Sequence, residues 1–253
     1  MCQLTDTELN KHVMKMTTAF CREKSEQSTP KIEYIKKAAV CLGRQPGSKE
    51  WVLSTDAHIN NEDGEFLPPE RREYVWLGDM VGNRILKNIA LPSDAASIST
   101  DADPNDVFDE TLIALKEAVN NNFVPAFTIL GSAAMGMHYE AIHTVYGMCP
   151  SPVAVGHKHT GKSTAARTAL ALHGTPHFFV RDFTSTAPSV LNSRKTLPTV
   201  FDDPDEIHRV KSLIDDTFNK GGRCTSKNIT VPRSLGIVTI NLDRLKKLCS
   251  NYK

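Results

Sequence analysis

The chain has 253 residues, a formal net charge of +1, 40% hydrophobic and 23% charged residues. That length is enough to bury a core, and the composition reads as that of a soluble, globular protein. A charge this small excludes a partner held by bulk charge alone and leaves only a local basic patch on one face.

The first eight residues are polar and lack an apolar h-region, so no secretory signal is expected. The six cysteines (Cys2, Cys21, Cys41, Cys149, Cys224 and Cys249) are scattered, with no Cys-x-x-Cys pair and no zinc-finger spacing. Reduced cysteines in an intracellular protein, cytoplasmic or nuclear, are therefore expected. Thr5-x-x-Glu8 reads as a capping box opening a helix with Leu9, Val13, Met14 and Phe20 inward. Residues 51–55 and 73–77 read as strands, with Asp63-Gly64 and Pro68-Pro69 as turn chemistry between them. Residues 92–106 are rich in Ser, Asp and Ala with two prolines, which makes them a linker. The expected division is an N-terminal α+β region over 1–105, with a short β-hairpin, and a second domain over 106–253.

A helix is expected next, with Val107, Leu112, Leu115, Ala118 and Val119 on its apolar side. The most apolar stretch, 123–137, is shorter than the ~20 residues a membrane span needs, and Pro125 and Gly131 interrupt it. It reads as a buried helix beside a sheet, and no membrane partner is expected. From there on apolar runs alternate with helical periods, the rhythm of an α/β sheet. Strands are expected at 153–155, 177–180, 199–201 and 236–240, and helices at 163–173 and 204–219. The second helix carries Ile207, Val210, Leu213, Ile214 and Phe218 at helical spacing. It starts after Asp203 with Pro204 in the first turn and ends before Gly221-Gly222. The fold class is α/β, a P-loop NTPase parallel sheet with flanking helices, preceded by a smaller α+β region.

The chemistry concentrates in Gly156-His157-Lys158-His159-Thr160-Gly161-Lys162-Ser163-Thr164, which fits Gly-x-x-x-x-Gly-Lys-Ser. Glycines let the backbone turn so that consecutive N–H groups point at phosphate oxygens. Lys162 brings a point charge to the same oxygens, and the Ser163 hydroxyl is placed to ligate Mg²⁺. The following helix aims its positive N-terminus at the anion. A β-branched run before the loop and an Ala/Leu-rich helix after it supply the required strand–loop–helix. The expected ligand is ATP with Mg²⁺. His157 and His159 sit at variable loop positions and read as exposed rather than metal-binding.

Phosphoryl chemistry needs a second acidic element. The run Leu-Pro-Thr-Val-Phe-Asp202-Asp203-Pro-Asp-Glu206 supplies it. Asp202 at the strand end would bind the metal through water, Asp203 would orient or deprotonate the attacking water, and Glu206 stands in reserve. The same residues also fit a helix N-terminus, with Asp203 as cap and Glu206 in the first turn. The strand at 236–240 ends on Asn241, a candidate γ-phosphate or water contact, with Thr239 second and a plain turn role as the alternative. Lys220-Gly-Gly-Arg223 is a basic loop whose Arg223 would serve as an arginine finger, in cis or from a neighbouring subunit, or meet a nucleic-acid phosphate. A plain solvated loop is its other reading. Arg181-Asp182 ends the second strand and faces the substrate side.

Residues 127–245 resemble the helicase-like P-loop ATPases of bacteria, phages and mobile elements known only as a domain of unknown function. The matching parts are Ile-Leu-Gly-Ser-Ala, the Gly156–Thr164 loop, Leu-His-Gly-Thr-Pro, the Asp-Asp with its acidic helix, Lys-Gly-Gly-Arg and the Ile-Val-Thr-Ile strand. The resemblance implies an additional-strand ATPase and a motor acting on DNA or RNA, with single-stranded nucleic acid as the expected partner. Asp203 stands where that family usually has Glu, and little chain follows Asn241, so a shortened copy is expected. Three alternatives stay open. One is a nucleotide-binding module without turnover. Another is a small-molecule kinase with Asp182 facing the acceptor. The third is a homo-oligomeric ring subunit completed by a neighbour's Arg223.

Overall fold

The structure is a computed structural model. It describes residues 36–76, 102–176, 178–181, 183–184, 186–221, 223–224 and 229–250. The chain divides into two compact units, Met1–Lys36 and Lys37–Lys253, and the elements below belong to the second. The helix expected after Thr5, most of the linker expected at 92–106, and Asp182 lie outside the described residues.

Short strands come first. β1 (Lys37–Ala38) pairs in parallel with β5 (Tyr74–Val75). β2 (Gly43–Arg44), β3 (Glu50–Val52) and β4 (His58–Asn60) form an antiparallel sheet in that order. The strand expected over 51–55 stops at Val52, because Ser54 starts a turn in which its hydroxyl accepts from the Ala57 N–H at 2.8 Å. Trp51 and Leu53 enter the same apolar cluster as the helices that follow.

Helix α1 (Pro104–Val119) opens where local chemistry dictates. The Asp103 carboxylate accepts from the Asn105 N–H at 2.7 Å, and Pro104 takes the first position. Only its C-terminal half meets the body, through buried Leu115 and Val119, so Val107, expected inward, is 43% exposed. Helix α2 (Phe123–Met137) buries Ala126, Ile129, Leu130, Ala133 and Gly136 along one face, while Val124 and Phe127 on the other meet solvent. The stretch expected as a buried helix beside the sheet is thus buried on one face only. Helix α3 (Tyr139–Tyr146) ends at Gly147, whose φ of 72° closes the helix in the left-handed region.

The remaining elements build the main sheet. They are β6 (Val153–Gly156), α4 (Lys162–Leu172), β7 (Phe179–Val180), α5 (Ala187–Ser193), β8 (Thr199–Asp202), α6 (Ile207–Phe218), the hairpin β9 (Arg223–Cys224) and β10 (Ile229–Thr230), β11 (Gly236–Asn241) and α7 (Leu242–Ser250). Four strands run parallel in the order β6-β11-β8-β7. The last strand in sequence therefore inserts between the first and third. Val200 and Ile237 pack under α2 and α4, against Ala165, Ala166, Ala169 and Leu170, whose small side chains let α4 lie close. Phe201 and Val238 join Phe183, Val210 and Leu213 in a second cluster. Residues apolar on both faces are what a helix-covered parallel sheet requires. A Cβ on Gly236 would stand 2.8 Å from the Phe201 ring and 3.0 Å from Leu213, so a side chain there would crowd both.

Helix α6 begins three residues later than expected, with Glu206 at the N-cap and Pro204 in the preceding turn. Among the described residues, no helix is long and apolar enough to cross a membrane.

Candidate phosphate-binding site

Parallel strands bring their carboxyl ends to one side, and here the register is explicit. Asn241 lies beside Gly156, and Thr239 lies beside both Ala154 and Asp202. The loop after β6, the end of β8 and the β11–α7 junction thus enclose a cavity of about 650 Å³.

The loop folds as its residues demand. His159 and Gly161 take φ of 62° and 85°, and these left-handed steps turn the chain back so that α4 begins at Lys162. A Cβ on Gly161 would meet Val119 at 2.7 Å, so glycine is required there both for its backbone angle and for its space. The Asn122 amide donates to the Thr160 carbonyl at 3.2 Å and ties α2's start to the loop. No side chain caps α4, which leaves its first-turn N–H groups open to an anion. Lys158 to Thr164 line the cavity. Gly156 and His157 contribute their carbonyls to Lys162.

The Lys162 ammonium donates to Gly156 O at 3.0 Å, His157 O at 2.6 Å and Asn241 Oδ1 at 3.3 Å. Partial burial lowers its proton affinity, against the opposing pull of Asp203 and Asp202.

Asp202 is buried. Its Oδ1 accepts from Ser163 Oγ at 3.1 Å and from the Thr239 hydroxyl, while Oδ2 faces Arg181 Nε at 3.3 Å. Ser163 and Asp202, named together from sequence as metal ligands, are therefore neighbours. A hydroxyl and a carboxylate are hard oxygen donors of the kind Mg²⁺ takes when phosphates and waters fill its remaining positions. Among the described residues, no group of three or more His, Cys, Asp or Glu could hold a metal by itself, the loop histidines included.

Asp203 has a φ of 50°. Its carboxylate accepts from the Asn241 backbone N–H at 3.0 Å and the Asn241 side-chain amide at 2.8 Å. Arg244 reaches the same carboxylate at 3.0 Å and also donates to the Asp203 carbonyl and to Asp205. Asp203 is thus not the cap of α6, because Asn241 and Arg244 hold its carboxylate. Asn241 is more than a turn residue, since it bridges Lys162 and Asp203. Glu206 turns to Arg209 at 3.0 Å and His208 at 2.9 Å, and it does not line the cavity. Arg223 lies on the β9–β10 hairpin, and its side chain is outside what the structure describes.

Arg244 escaped the sequence reading. The available signal was its place three residues past Asn241, one helical turn beyond the strand end and so on the same side. Asp205, which shares Arg244, was also passed over.

No protein-family model matches the chain, and no curated protein does. The chain is similar to a solved structure titled "SCCmec type IV Cch - active helicase", with 17% identity and a TM-score of 0.48, over 94% of this chain and 43% of that one. It spans less than half the length of that protein.

Proposed function

We propose that the chain binds ATP and hydrolyses it with Mg²⁺, as a helicase-like P-loop ATPase, with the P-loop domain over 106–253. The observation that carries this is the insertion of β11 between β6 and β8. It sets Lys162, Asp202, Asp203 and Asn241 around one cavity next to an uncapped helix N-terminus.

Each residue then has a task. The loop N–H groups and the α4 N-terminus hold the phosphates. Lys162 leaves the Gly156 and His157 carbonyls for phosphate oxygens and offsets the charge that builds in transfer. Ser163 and Asp202 would hold Mg²⁺, which when bound neutralises phosphate charge and aligns the phosphates. Asp203 orients the attacking water, and Asn241 links its position to that of Lys162. Single-stranded nucleic acid as a partner rests on the resemblance of 127–245 to helicase-like ATPases. Arg223 is the candidate finger from a neighbouring copy.

One observation favours a second reading, ATP binding without turnover. Both Asp203 carboxylate oxygens are engaged by protein donors, so water gains an acceptor only if one of these contacts opens.

The test is Mg²⁺-dependent ATP hydrolysis by the purified chain, with and without single-stranded DNA, against Lys162→Ala. Turnover that falls by about 10²-fold or more in the variant is expected. Equal inactivity with binding retained in wild type selects the second reading. No nucleotide binding at all sinks both.

A further inference from the structure

Asp203 is the most constrained acid of the cavity. A non-glycine residue at a φ of 50° persists only where its surroundings hold it. The Asp203 N–H donates to the Thr239 carbonyl at 2.7 Å, and two residues hold its carboxylate, both from one strand–helix junction. Asn241 ends β11, and Arg244 sits in the first turn of α7.

The two holders differ in what else they touch. Asn241 Oδ1 also accepts from Lys162 at 3.3 Å. A phosphate that draws Lys162 away removes that donor and frees the Asn241 amide to turn. Arg244 is bound instead to Asp203 and Asp205, on the segment between β8 and α6. Its planar fork holds a carbonyl and two carboxylates from two nitrogens in a fixed geometry, where a lysine would offer a single point charge.

We propose that Arg244 is a positioning residue. It keeps the Asp203 carboxylate aimed into the cavity when Lys162 and Asn241 turn to bound nucleotide. The proposal rests on the reading of Asp203 as the acid that orients water, and it ties the α7 end of the fold to the hydrolytic step.

The experiment compares wild type, Arg244→Gln, Asp203→Asn and the double variant, with Arg244→Lys as the milder change. ATP affinity and single-turnover hydrolysis are measured. In the nucleotide-free chain, amide hydrogen exchange is measured at Asn241, whose N–H donates to Asp203. Arg244→Gln is expected to hold affinity within about twofold and to slow hydrolysis by about 10²-fold. The double variant is expected to be no slower than Asp203→Asn, because both changes remove one function. Exchange at Asn241 is expected to quicken by about tenfold, and Arg244→Lys to fall between. Unchanged hydrolysis in Arg244→Gln, or a double variant slower by the product of the two singles, overturns the proposal. If wild type itself does not hydrolyse ATP, the ATPase reading fails, and the Asn241 amide still decides the Arg244 contact. Unchanged exchange there overturns it.

Discussion

The Ser163 hydroxyl donates to Asp202 Oδ1 at 3.1 Å. That contact joins the first turn of α4 to the end of β8 across the intervening strand β11. It places two hard oxygens beside the loop, and it explains why Thr239, on the strand between them, also reaches Asp202.

Asp202→Asn keeps the shape of the side chain and removes its charge. We expect it to raise the Mg²⁺ concentration needed for ATP binding by about 10- to 100-fold, with binding in the absence of divalent metal unchanged. Calorimetric Mg²⁺ titrations at fixed ATP read this directly. An unchanged Mg²⁺ dependence removes Asp202 from the metal site.

Gly236 lies at the amino end of β11, away from the cavity, under the Phe201 ring. Gly236→Ala puts a methyl 2.8 Å from that ring in a close-packed interior, which costs about 1–3 kcal/mol. Urea unfolding is expected to show this as a lower midpoint with ATP affinity retained. An unmoved midpoint contradicts the packing described for the Phe201–Leu213 cluster.

Lys195 is 1% exposed, with its ammonium 3.2 Å from the Phe178 ring centroid and no hydrogen-bond partner among the described residues. Burial lowers its proton affinity well below the ordinary lysine value of 10.5. Between the depressed folded value and 10.5 the unfolded chain binds the extra proton, so the contribution of Lys195 to stability rises with pH through that window and levels off above it. Lys195→Met removes the unpaired ammonium while keeping an unbranched chain of similar length. It is expected to stabilise the protein at pH 7 by about 1–3 kcal/mol and to flatten the rise between pH 7 and 10. Urea melts across that range measure both, and a variant less stable than wild type at pH 7 would count against the burial described.

The strand–loop–helix over 153–172 and the strands and helices around it were legible because their causes are local. The glycine spacing of 156–164, the apolar run before it and the alanine-rich helix after it lie within a few turns of one another. The start of α6 was misplaced for an instructive reason. Asp203-Pro204 has the chemistry of a helix N-terminus, yet Asn241 and Arg244, 38 and 41 residues away, take the Asp203 carboxylate first, and Arg244 takes its carbonyl too. A cap is a local hydrogen bond, and here it lost to a charged tertiary one. Val107 was placed inward by periodicity alone, which identifies an apolar face but not how much of a helix meets the body.

The sequence by itself determined the strand–loop–helix over 153–172 and the acidic end of β8, since backbone geometry and apolar periodicity act over neighbouring residues. Only the tertiary structure decided that β11 lies between β6 and β8. Parallel strands meet through long crossovers, and no local signal selects their order. That order puts Asn241 between Lys162 and Asp203, brings Asp202 to Ser163 and Thr239, and makes Arg244 part of the site.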